Sequence, residues 1–529
     1  MHSQTCLAQF FVVIIAANMG ACAPDEGVPP VTGGTPQESP VTGDPTQGDT
    51  EDFEQAETAI TIVPRGAQAD VIVVGFNDRT QNPADPKIEY PAANERILHR
   101  GASLMGWSTS TDVGASFTYH SQLAPPAGWS LLYGDPFLTT SGEQVVYMSN
   151  LGGSDAKFPA SGEFFSDATG PSVRTVLDGF CIARSADGGL SFPELRCFKH
   201  GTCTVGGTEC ANDAECAPAN GVCNGMLYDG TALAADTEFV FFASMSLPAF
   251  VPTQTFDVWR ASSSGLNFQR IVPPFPGMKM ATHPRLQIFN RHLYILGHEA
   301  NGVVFASRLD LDDPMAVWST PQAVSRDAVV QPEVLLSDRS IRTANQFSFD
   351  IGMNPQTAMN ELRVAITRRS EDNKLFIELS RCPTDLSTNC SVATGWTTGA
   401  LPGDQWNPML KVSGTPALWK LVFMSRDSAP SGNVVSVRHG NLAVLPDSTR
   451  ILSTSELIEP QIPCTAQDPS DPSSGGYWGD YNELTNLRAP GDLTGPEPRF
   501  IATFTDNRAG CNFRGRFTAD MHVGAAVLQ

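Results

Sequence analysis

Polar side chains recur at the ends of apolar segments in this chain. One set stands where such a segment begins: Glu57, Asp135, Asp229, His283, Asn407 and Asp480. A second set stands where one ends: Asp78, Arg79, Asp506 and Arg508. If the segments converge on one axis, the two sets form a cup that suits a polar ligand such as a glycan, since arginine makes bidentate contacts with a carboxylate. The alternative is that each polar residue only caps or connects strands.

From these sets we predict ligand contacts by seven residues. They are Asp78, Arg79, Asp135, His283, Asp480, Asp506 and Arg508.

One eight-residue motif identifies the elements that would position these side chains. Residues 110–117 and 185–192 both fit the pattern S-x-D-x-G-x-S-F, and residues 261–268 form a decayed copy with Ser263 at the aspartate position. Glycine supplies a positive φ, and the Asp and Ser side chains satisfy amides of the turn. The motif therefore predicts a hairpin turn whose aromatic residue packs between neighbouring sheets.

Each motif lies in a larger unit of four predicted strands, named A to D in chain order. The first unit has strands at 59–64, 71–76, 105–108 and 117–120, and the second at 136–140, 145–149, 181–185 and from Phe192 onwards. Further strand pairs are 239–243 with 258–261, 293–297 with 303–307, 363–367 with 375–380, 420–425 with 434–438, and 500–505 with 521–526. The rhythm predicts an all-β fold of seven four-stranded units, with six as the open alternative.

The motif resembles the Asp box of the sialidase-like β-propeller superfamily. Residues 55–79, ending in Asn-Asp-Arg, are similar to the opening of exported bacterial members, and residues 477–481 and 504–508 are similar to their closing blade. The resemblance implies a single β-propeller over residues 53–529, in which each four-stranded unit is a blade.

In such a propeller the Asp boxes lie on one face, and the B–C loops and D-to-A connections lie on the other. The chain concentrates its excess length in the second group, in the loops at 80–102 and 150–179 and in a cysteine-rich insert at 197–223. Long loops on a rigid scaffold are where binding and catalytic residues concentrate, so we expect function on that face.

The resemblance also raises the question of catalysis. Sialidases hold the substrate carboxylate with three arginines, and they use an Asp as the acid catalyst and a Tyr nucleophile paired with a Glu. The arginine motif of the family, aromatic-R-I-P, is missing from this sequence. The candidates for catalysis are Tyr481, Glu483 and Asp480. We favour a non-catalytic propeller that binds a glycan or a surface protein; the alternative is an exo-glycosidase with a divergent site. We expect a monomer with no cofactor, and structural calcium stays open.

The beginning of the chain predicts export. Residues 10–17 are an apolar run too short to span a bilayer about 30 Å thick, and they have the length of a signal-peptide core. Met19-Gly20-Ala21-Cys22 resembles a bacterial lipobox, which implies a signal peptide at 1–22 and lipidation of Cys22. Residues 23–52 are rich in Pro, Gly and Thr and predict a disordered linker. We therefore expect an outer-membrane or cell-surface lipoprotein, or otherwise a secreted protein.

The formal charge of −22 argues against two classes of partner. Nucleic acids and anionic bilayers both require clustered Lys and Arg. We expect no nucleic-acid partner, and membrane attachment only through the lipid anchor.

Ten cysteines follow Cys22, and an even number in an oxidising compartment indicates disulfides. Cys181 and Cys197 lie symmetrically about an Asp-box turn and predict a cross-strand bridge. Four more would pair within the insert, in an order that spacing leaves open: Cys203, Cys210, Cys216 and Cys223. Cys382 with Cys390 would close a short loop, and Cys464 with Cys511 would tie the last unit to its neighbour.

Overall fold

The computed structural model describes most of the repeat region. The described residues are 37–40, 55–65, 70–78, 87–92, 95–155, 163–165, 176–247, 255–325, 333–335, 340–342, 347–426, 435–456, 476–477, 483–487, 499–506, 512–513, 516–517 and 522–528. Short gaps within them fall at 143, 207–208, 211–212, 222, 282, 300–301, 355–356, 372–373, 388–389, 398–402, 414–417 and 446–447.

The fold is an all-β propeller of mostly four-stranded blades. Six sheets, named blades 1 to 6, are each built mainly from one continuous stretch of chain whose strands pair antiparallel; the short strand Ala102–Ser103 joins blade 2 in parallel, beside its innermost strand. From the innermost strand outwards, blade 1 has Gln55–Val63, Val71–Asp78, Met105–Ser110 and Thr118–Gln122, and blade 2 has Trp129–Thr140, Val146–Ser154, Gly179–Ser185 and Glu194–Phe198. Blade 3 has Leu227–Ala235, Phe239–Leu247, Thr255–Ser262 and Gln269–Ile271, and blade 4 has Arg285–Phe289, His292–His298, Val304–Asp310 and Gln322–Ala323. Blade 5 has Phe347–Met353, Asn360–Arg369, Leu375–Pro383 and Ser391–Thr397, and blade 6 has Asp404–Ser413, Leu418–Arg426, Val435–Leu445 and Ser448–Glu456.

A further sheet, named the closing sheet, combines both ends of the chain. Its strands are Glu483–Leu487, Arg499–Asp506, His522–Leu528 and Gln37–Pro40. Gln37 lies opposite Val527 and Pro40 opposite Gly524, in antiparallel register. The prediction of seven blades is therefore corrected to six, the alternative that the sequence left open. The closing sheet is not one continuous stretch of chain, because its fourth strand comes from the segment that the sequence predicts as a disordered linker. The physical reason is that a C-terminal unit of three strands leaves an open edge that another strand can pair with.

The innermost strands lie side by side around one axis. Each contacts the innermost strand of the next blade in chain order, and Glu483–Leu487 contacts Gln55–Val63, so the ring of sheets closes. Middle strands such as Val71–Asp78 are buried on both faces because a sheet packs on each side. This explains why they are continuous apolar runs rather than alternating ones.

The remaining strands decorate one face. Ile88–Ala92 and Glu95–His99, from the B–C loop of blade 1, form a small sheet with Glu163–Phe165 from the B–C loop of blade 2. Glu333–Leu335 and Ser340–Arg342, which connect blades 4 and 5, join Gly476–Tyr477 ahead of the closing sheet. A last hairpin, Asn512–Phe513 with Arg516–Phe517, lies in the B–C loop of the closing sheet. All of these belong to B–C or D-to-A connections, so we name this the decorated face.

The Asp boxes form the predicted turns on the opposite face. In the second box, Asp187 Oδ1 accepts hydrogen bonds from the Ser185 hydroxyl (2.7 Å) and the Ser191 amide (3.0 Å), and Oδ2 accepts one from the Ser191 hydroxyl (2.6 Å). Gly188 and Gly189 both have positive φ, at 81° and 87°. Asp112 makes the same set of bonds in the first box.

The aromatic residue of each motif wedges between neighbouring sheets, as the sequence predicts. Phe192 packs in a core shared by blades 1 and 2, with its ring 5.4 Å from that of Trp107, and Phe268 lies 5.4 Å from Phe198 at the interface of blades 2 and 3. Phe117 packs against the core between blade 1 and the closing sheet. These wedges anchor blades to one another.

Four disulfides lie in the described residues. Cys181 stands directly opposite Cys197 on neighbouring strands of blade 2 and bonds to it, and Cys382 bonds to Cys390. The insert has an interleaved pairing, Cys203 with Cys216 and Cys210 with Cys223. It contains strands Gly201–Cys203, Glu209–Cys210 and Cys223–Gly225, helix Asp213–Cys216 and a 3₁₀ turn Ala217–Ala219. Cys22, Cys464 and Cys511 lie outside the described residues.

In the described part of the chain, no helix has the length and apolar character needed to cross a membrane. The signal peptide predicted at 1–22 lies outside it.

Asp187→Ala should lower the free energy of unfolding by about 1–2 kcal/mol, since it removes three hydrogen bonds from an exposed turn. Burial alone would raise the pKa of Asp187, but the hydrogen bonds from Ser191 and Ser185 outweigh it, so the pKa is lowered. The difference in the free energy of unfolding between the wild type and Asp187→Ala should therefore be largest at a pH above the pKa of an ordinary carboxyl group, and it should shrink as pH falls below that pKa. Urea unfolding at pH 7 and pH 3 measures this. Asp313→Ala, which removes a single bond to the Met315 amide, is the control and should cost less.

A chain that starts at residue 45 should unfold at lower temperature than one that starts at residue 33, because only the longer chain keeps Gln37–Pro40 on the closing sheet. The expected loss is about 1–3 kcal/mol for two or three ladder hydrogen bonds. Calorimetry on both chains measures the difference. Equal stability would show that the N-terminal strand does not stabilise the ring in solution.

Candidate ligand site in the central channel

A channel runs between the innermost strands. It encloses about 210 Å³ and is lined by residues of blades 1, 2, 3, 4 and 6 and the closing sheet. Blade 5 contributes Ser348 and Phe349 to an adjoining cavity of about 50 Å³. Polar side chains of the larger cavity are Thr61, Thr139, Gln287, Lys411, Glu483 and Thr485. Because ligand clefts commonly enclose about 300–1,000 Å³, the channel admits a terminal group of a ligand rather than a whole oligosaccharide.

Three charged side chains meet in this channel. Glu483 is the first residue of the innermost strand of the closing sheet, and Arg285 is the first residue of the innermost strand of blade 4. Arg285 Nη1 lies 3.5 Å from Glu483 Oε2, and the two side chains are only 11% and 20% exposed. The guanidinium also stands 5.8 Å from the ring centre of Phe137. Lys411 lines the same cavities from blade 6.

Burial raises the pKa of Glu483, although the positive charges of Arg285 and Lys411 oppose the shift. Desolvation disfavours the ionised carboxylate, and here it outweighs the attraction of the two cations. Glu483 therefore keeps a proton at a higher pH than an ordinary glutamate. A carboxyl with a raised pKa can donate a proton or a hydrogen bond to a bound group.

Contacts between blades fix the wall of the channel beside Gln287. Its Nε2 donates to Asp350 Oδ1 at 2.5 Å, and Asp350 is buried. The Val412 amide donates to Asp350 Oδ2 at 2.8 Å, so one carboxylate joins blades 4, 5 and 6. The amide next to Lys411 is held in the same way, because Leu410 N donates to Ser348 Oγ at 3.0 Å.

The innermost strands carry a β-bulge near the decorated face. Register shifts occur at 56–59 in blade 1, 133–137 in blade 2, 229–231 in blade 3 and 406–409 in blade 6. Asp135, Gly230 and Asn407 have positive φ at these points, at 53°, 64° and 53°. The recurrent polar residues in the sequence thus mark bulges, where a backbone bend exposes main-chain groups that side chains then satisfy.

Asp135 links three blades at this level. Its amide donates to Asn77 Oδ1 in blade 1 at 2.9 Å, and its Oδ2 accepts from the Gly230 amide in blade 3 at 3.0 Å. Its carbonyl accepts a further bond from the Thr231 hydroxyl at 2.6 Å. The residue is 9% exposed. It therefore serves as an interblade connector.

The structure brings Asp135, Asp229 and His283 together. One ligand atom of each lies within 4.8 Å of the others, and His283 Nε2 stands 3.8 Å from Asp229 Oδ1. Phe137 follows Asp135 by two residues, and Arg285 follows His283 by two, so this cluster lies next to the Arg285–Glu483 pair on the decorated side. We name these three residues the mouth cluster.

Asp78 occupies a different place from the one expected. It is fully buried inside blade 1, where Oδ2 accepts a hydrogen bond from the Tyr119 hydroxyl at 2.6 Å and the main-chain carbonyl accepts one from Gln122 at 2.9 Å. A side chain on Gly106 would collide with it. The structure therefore gives Asp78 a structural role and does not bring it to the channel.

Other predicted site residues lie outside the described residues: Arg79, Asp480, Tyr481 and Arg508. Asp506 ends its strand opposite His522, and only its backbone is described.

Sequence reasoning missed Arg285, Lys411 and Gln287. Arg285 follows His283 by two residues, so the alternation of a strand gives a signal that it lies on the same side. Lys411 has no such signal, because the bulge at 406–409 resets the alternation of its strand. Among the arginines described, Arg285 alone lines the cavities.

No family model matches the chain, and no curated protein sequence matches it. Solved structures do. An α-L-arabinanase from Penicillium chrysogenum, complexed with arabinobiose, aligns at TM-score 0.40 and 10% identity over 81% of this chain and 100% of that one. A Trypanosoma rangeli sialidase in complex with sialic acid aligns at TM-score 0.36 and 10% identity over 73% of this chain and 53% of that one.

This chain therefore spans about half the length of the sialidase chain. The catalytic domain of an α-L-arabinofuranosidase from Coprinopsis cinerea aligns at TM-score 0.27 and 12% identity over 57% of this chain and 90% of that one. The protein is thus a β-propeller that resembles sialidases and arabinanases at low sequence identity.

Proposed function

We propose that the protein is an exported binding propeller that takes a carboxylate-bearing glycan at the decorated mouth of its channel. The observation that carries the proposal is the grouping of Arg285, Lys411 and Glu483 inside the channel, beneath the face where the added loops lie. A guanidinium and an ammonium supply the charge-assisted hydrogen bonds that a carboxylate prefers.

Glu483 tunes this site. In its ionised form it competes with a ligand carboxylate for Arg285, which lies 3.5 Å away. In its protonated form it releases Arg285 and offers a hydrogen-bond donor of its own. Because burial raises its pKa, the protonated form is favoured at a higher pH than for an exposed glutamate.

Binding rather than turnover is favoured because only one described arginine lines the channel. The competing proposal is an exo-glycosidase with a divergent site. It is supported by the raised pKa of Glu483, which suits a general acid, and by the carboxylates of Asp135 and Asp229 at the mouth.

Export is supported by the four disulfides, which persist in oxidising compartments. We propose in addition that Cys22 carries the lipid that holds the propeller at the cell surface, with residues 23–36 as the spacer.

Arg285→Ala should weaken binding of an acidic sugar such as N-acetylneuraminic or glucuronic acid by about 10- to 150-fold, as expected for loss of about 1.5–3 kcal/mol from a charged hydrogen bond. Calorimetric titration against acidic and neutral sugars measures this. Arg260→Ala, which replaces an exposed arginine of blade 3, should leave affinity unchanged. Equal affinity of the wild type for acidic and neutral sugars would contradict the role given to Arg285.

The affinity of the wild type for an acidic sugar should rise as pH falls through the raised pKa of Glu483, at a higher pH than an ordinary glutamate would give, because burial favours the uncharged carboxyl. Glu483→Gln should bind with nearly the same affinity on both sides of that pKa. The same titrations at several pH values measure both. A wild-type affinity that falls with pH would show that ionised Glu483 assists binding.

Fluorogenic sialosides and a panel of aryl glycosides should not be hydrolysed by the purified protein above the rate in buffer. Hydrolysis by the wild type that disappears in Glu483→Gln would establish the glycosidase instead. Hydrolysis that survives in the variant would also contradict the binding proposal, and would assign the reaction to another candidate such as Tyr481 or Asp480, unless a protein purified in the same way from cells that lack the gene shows the same rate.

A further inference from the structure

We infer that Asp135, Asp229 and His283 form a binding site for a divalent transition-metal ion of the Zn²⁺ or Mn²⁺ type. Two carboxylates and an imidazole from blades 2, 3 and 4 present ligand atoms within 4.8 Å of one another. Metal–ligand distances for these groups are about 2.0–2.2 Å, so ligand atoms around one ion stand up to about twice that far apart. The ligand atoms therefore stand near the span that one ion bridges, and they would draw closer together to share it.

The carboxylate of Asp135 is held in place before any ion binds. Its Oδ2 accepts the Gly230 amide at 3.0 Å, and its backbone is fixed on either side by Asn77 and Thr231. Hydrogen bonds to ligating carboxylates orient them and reduce the cost of ordering on binding. Asp135 is therefore oriented as a metal ligand should be.

The position of the His283 imidazole requires a glycine at residue 230. A Cβ on Gly230 would stand 2.0 Å from His283 Cδ2 and 2.2 Å from Cγ, so the ring occupies the space that any other residue would fill. Gly230 also has φ of +64°, which its bulge imposes. One glycine thus holds Asp135 through its amide and admits His283 beside Asp229.

The donor set selects the class of ion. Imidazole suits Zn²⁺ and related ions, carboxylates alone suit Ca²⁺ and Mg²⁺, and one imidazole with two carboxylates suits Zn²⁺ or Mn²⁺. Three protein ligands leave coordination positions for water or for an oxygen of a bound molecule. The mouth cluster lies beside the Arg285–Glu483 pair, so such an oxygen would belong to whatever enters the channel. The inference itself does not depend on that ligand being a glycan.

The test is direct metal binding by the tag-free protein after treatment with EDTA and buffer exchange. Titration calorimetry with Zn²⁺, Mn²⁺ and Ca²⁺, together with elemental analysis of the Zn²⁺-loaded protein, should give one ion per chain and tighter binding of Zn²⁺ or Mn²⁺ than of Ca²⁺. Asp229→Asn and His283→Gln should each lower affinity by more than about tenfold. Binding should also weaken from pH 7.5 to pH 5.5, because protons compete for the imidazole.

Matched controls lie on the opposite face. Asp310→Asn and His292→Gln change the same residue types in blade 4 and should leave affinity unchanged. Gly230→Ala keeps all three ligands but displaces the ring, and should weaken binding by about 10- to 100-fold. Thermal unfolding in EDTA identifies any variant whose apo fold is lost, and the conclusion then rests on the other variants.

Absence of Zn²⁺ and Mn²⁺ binding up to millimolar concentration would overturn the inference. So would wild-type affinity in both Asp229→Asn and His283→Gln. Binding of Ca²⁺ alone would overturn the role given to the imidazole. None of these results bears on the glycan proposal, whose test is sugar binding by the same protein.

Discussion

Neighbouring blades are held together mainly by side chains, because the main-chain ladders of the described strands end at the innermost strand, except in blade 2, where Ala102–Ser103 pairs with Trp129–Thr140. Apolar wedges such as Phe192 supply part of this contact, and hydrogen bonds from short polar side chains supply the rest. Thr58 of blade 1 donates to Thr503 of the closing sheet at 3.0 Å, and Ser149 of blade 2 donates to Thr231 of blade 3 at 2.9 Å. Many polar groups near the axis are therefore used in hydrogen bonds between blades. Only polar groups that are not used in this way and that face the channel can bind a ligand.

That constraint explains which residues the sequence could reveal. The Asp boxes were recoverable because their bonds span four residues or fewer, as between Asp187 and Ser191, so a local pattern contains the whole turn. The strand pairs were recoverable for the same reason, since each joins neighbours along the chain. The pairing of His522–Leu528 with its outer neighbour, Gln37–Pro40, was not recoverable, because that strand lies at the other end of the sequence.

The sequence predicts how far along the propeller axis the candidate residues lie, but it does not predict which way their side chains face. The sequence predicts that the starts of the innermost strands lie on one face, and the structure brings Asp135, Asp229 and His283 together there. For Asp78, the end of its strand predicts a position near the same face. It does not predict that the carboxylate faces Tyr119, whose hydroxyl donates a hydrogen bond to it. Recurrent polar residues indicate where the bulges lie, but which side a polar residue faces depends on the geometry of the bulge and on the packing of the adjacent blade, which a single sequence does not give.

An acidic protein that binds an acidic ligand faces a physical difficulty. The formal charge of −22 repels anions at long range, and the mouth cluster adds two carboxylates at the point of approach. Arg285 and Lys411 oppose this repulsion only at short range, and Arg285 already faces Glu483. A divalent cation on Asp135 and Asp229 would neutralise the two negative charges at the mouth, and a proton on Glu483 would free the guanidinium deeper in the channel. The two proposals then act on the same electrostatic problem at successive levels of the axis: the ion admits the anionic group and Arg285 holds it.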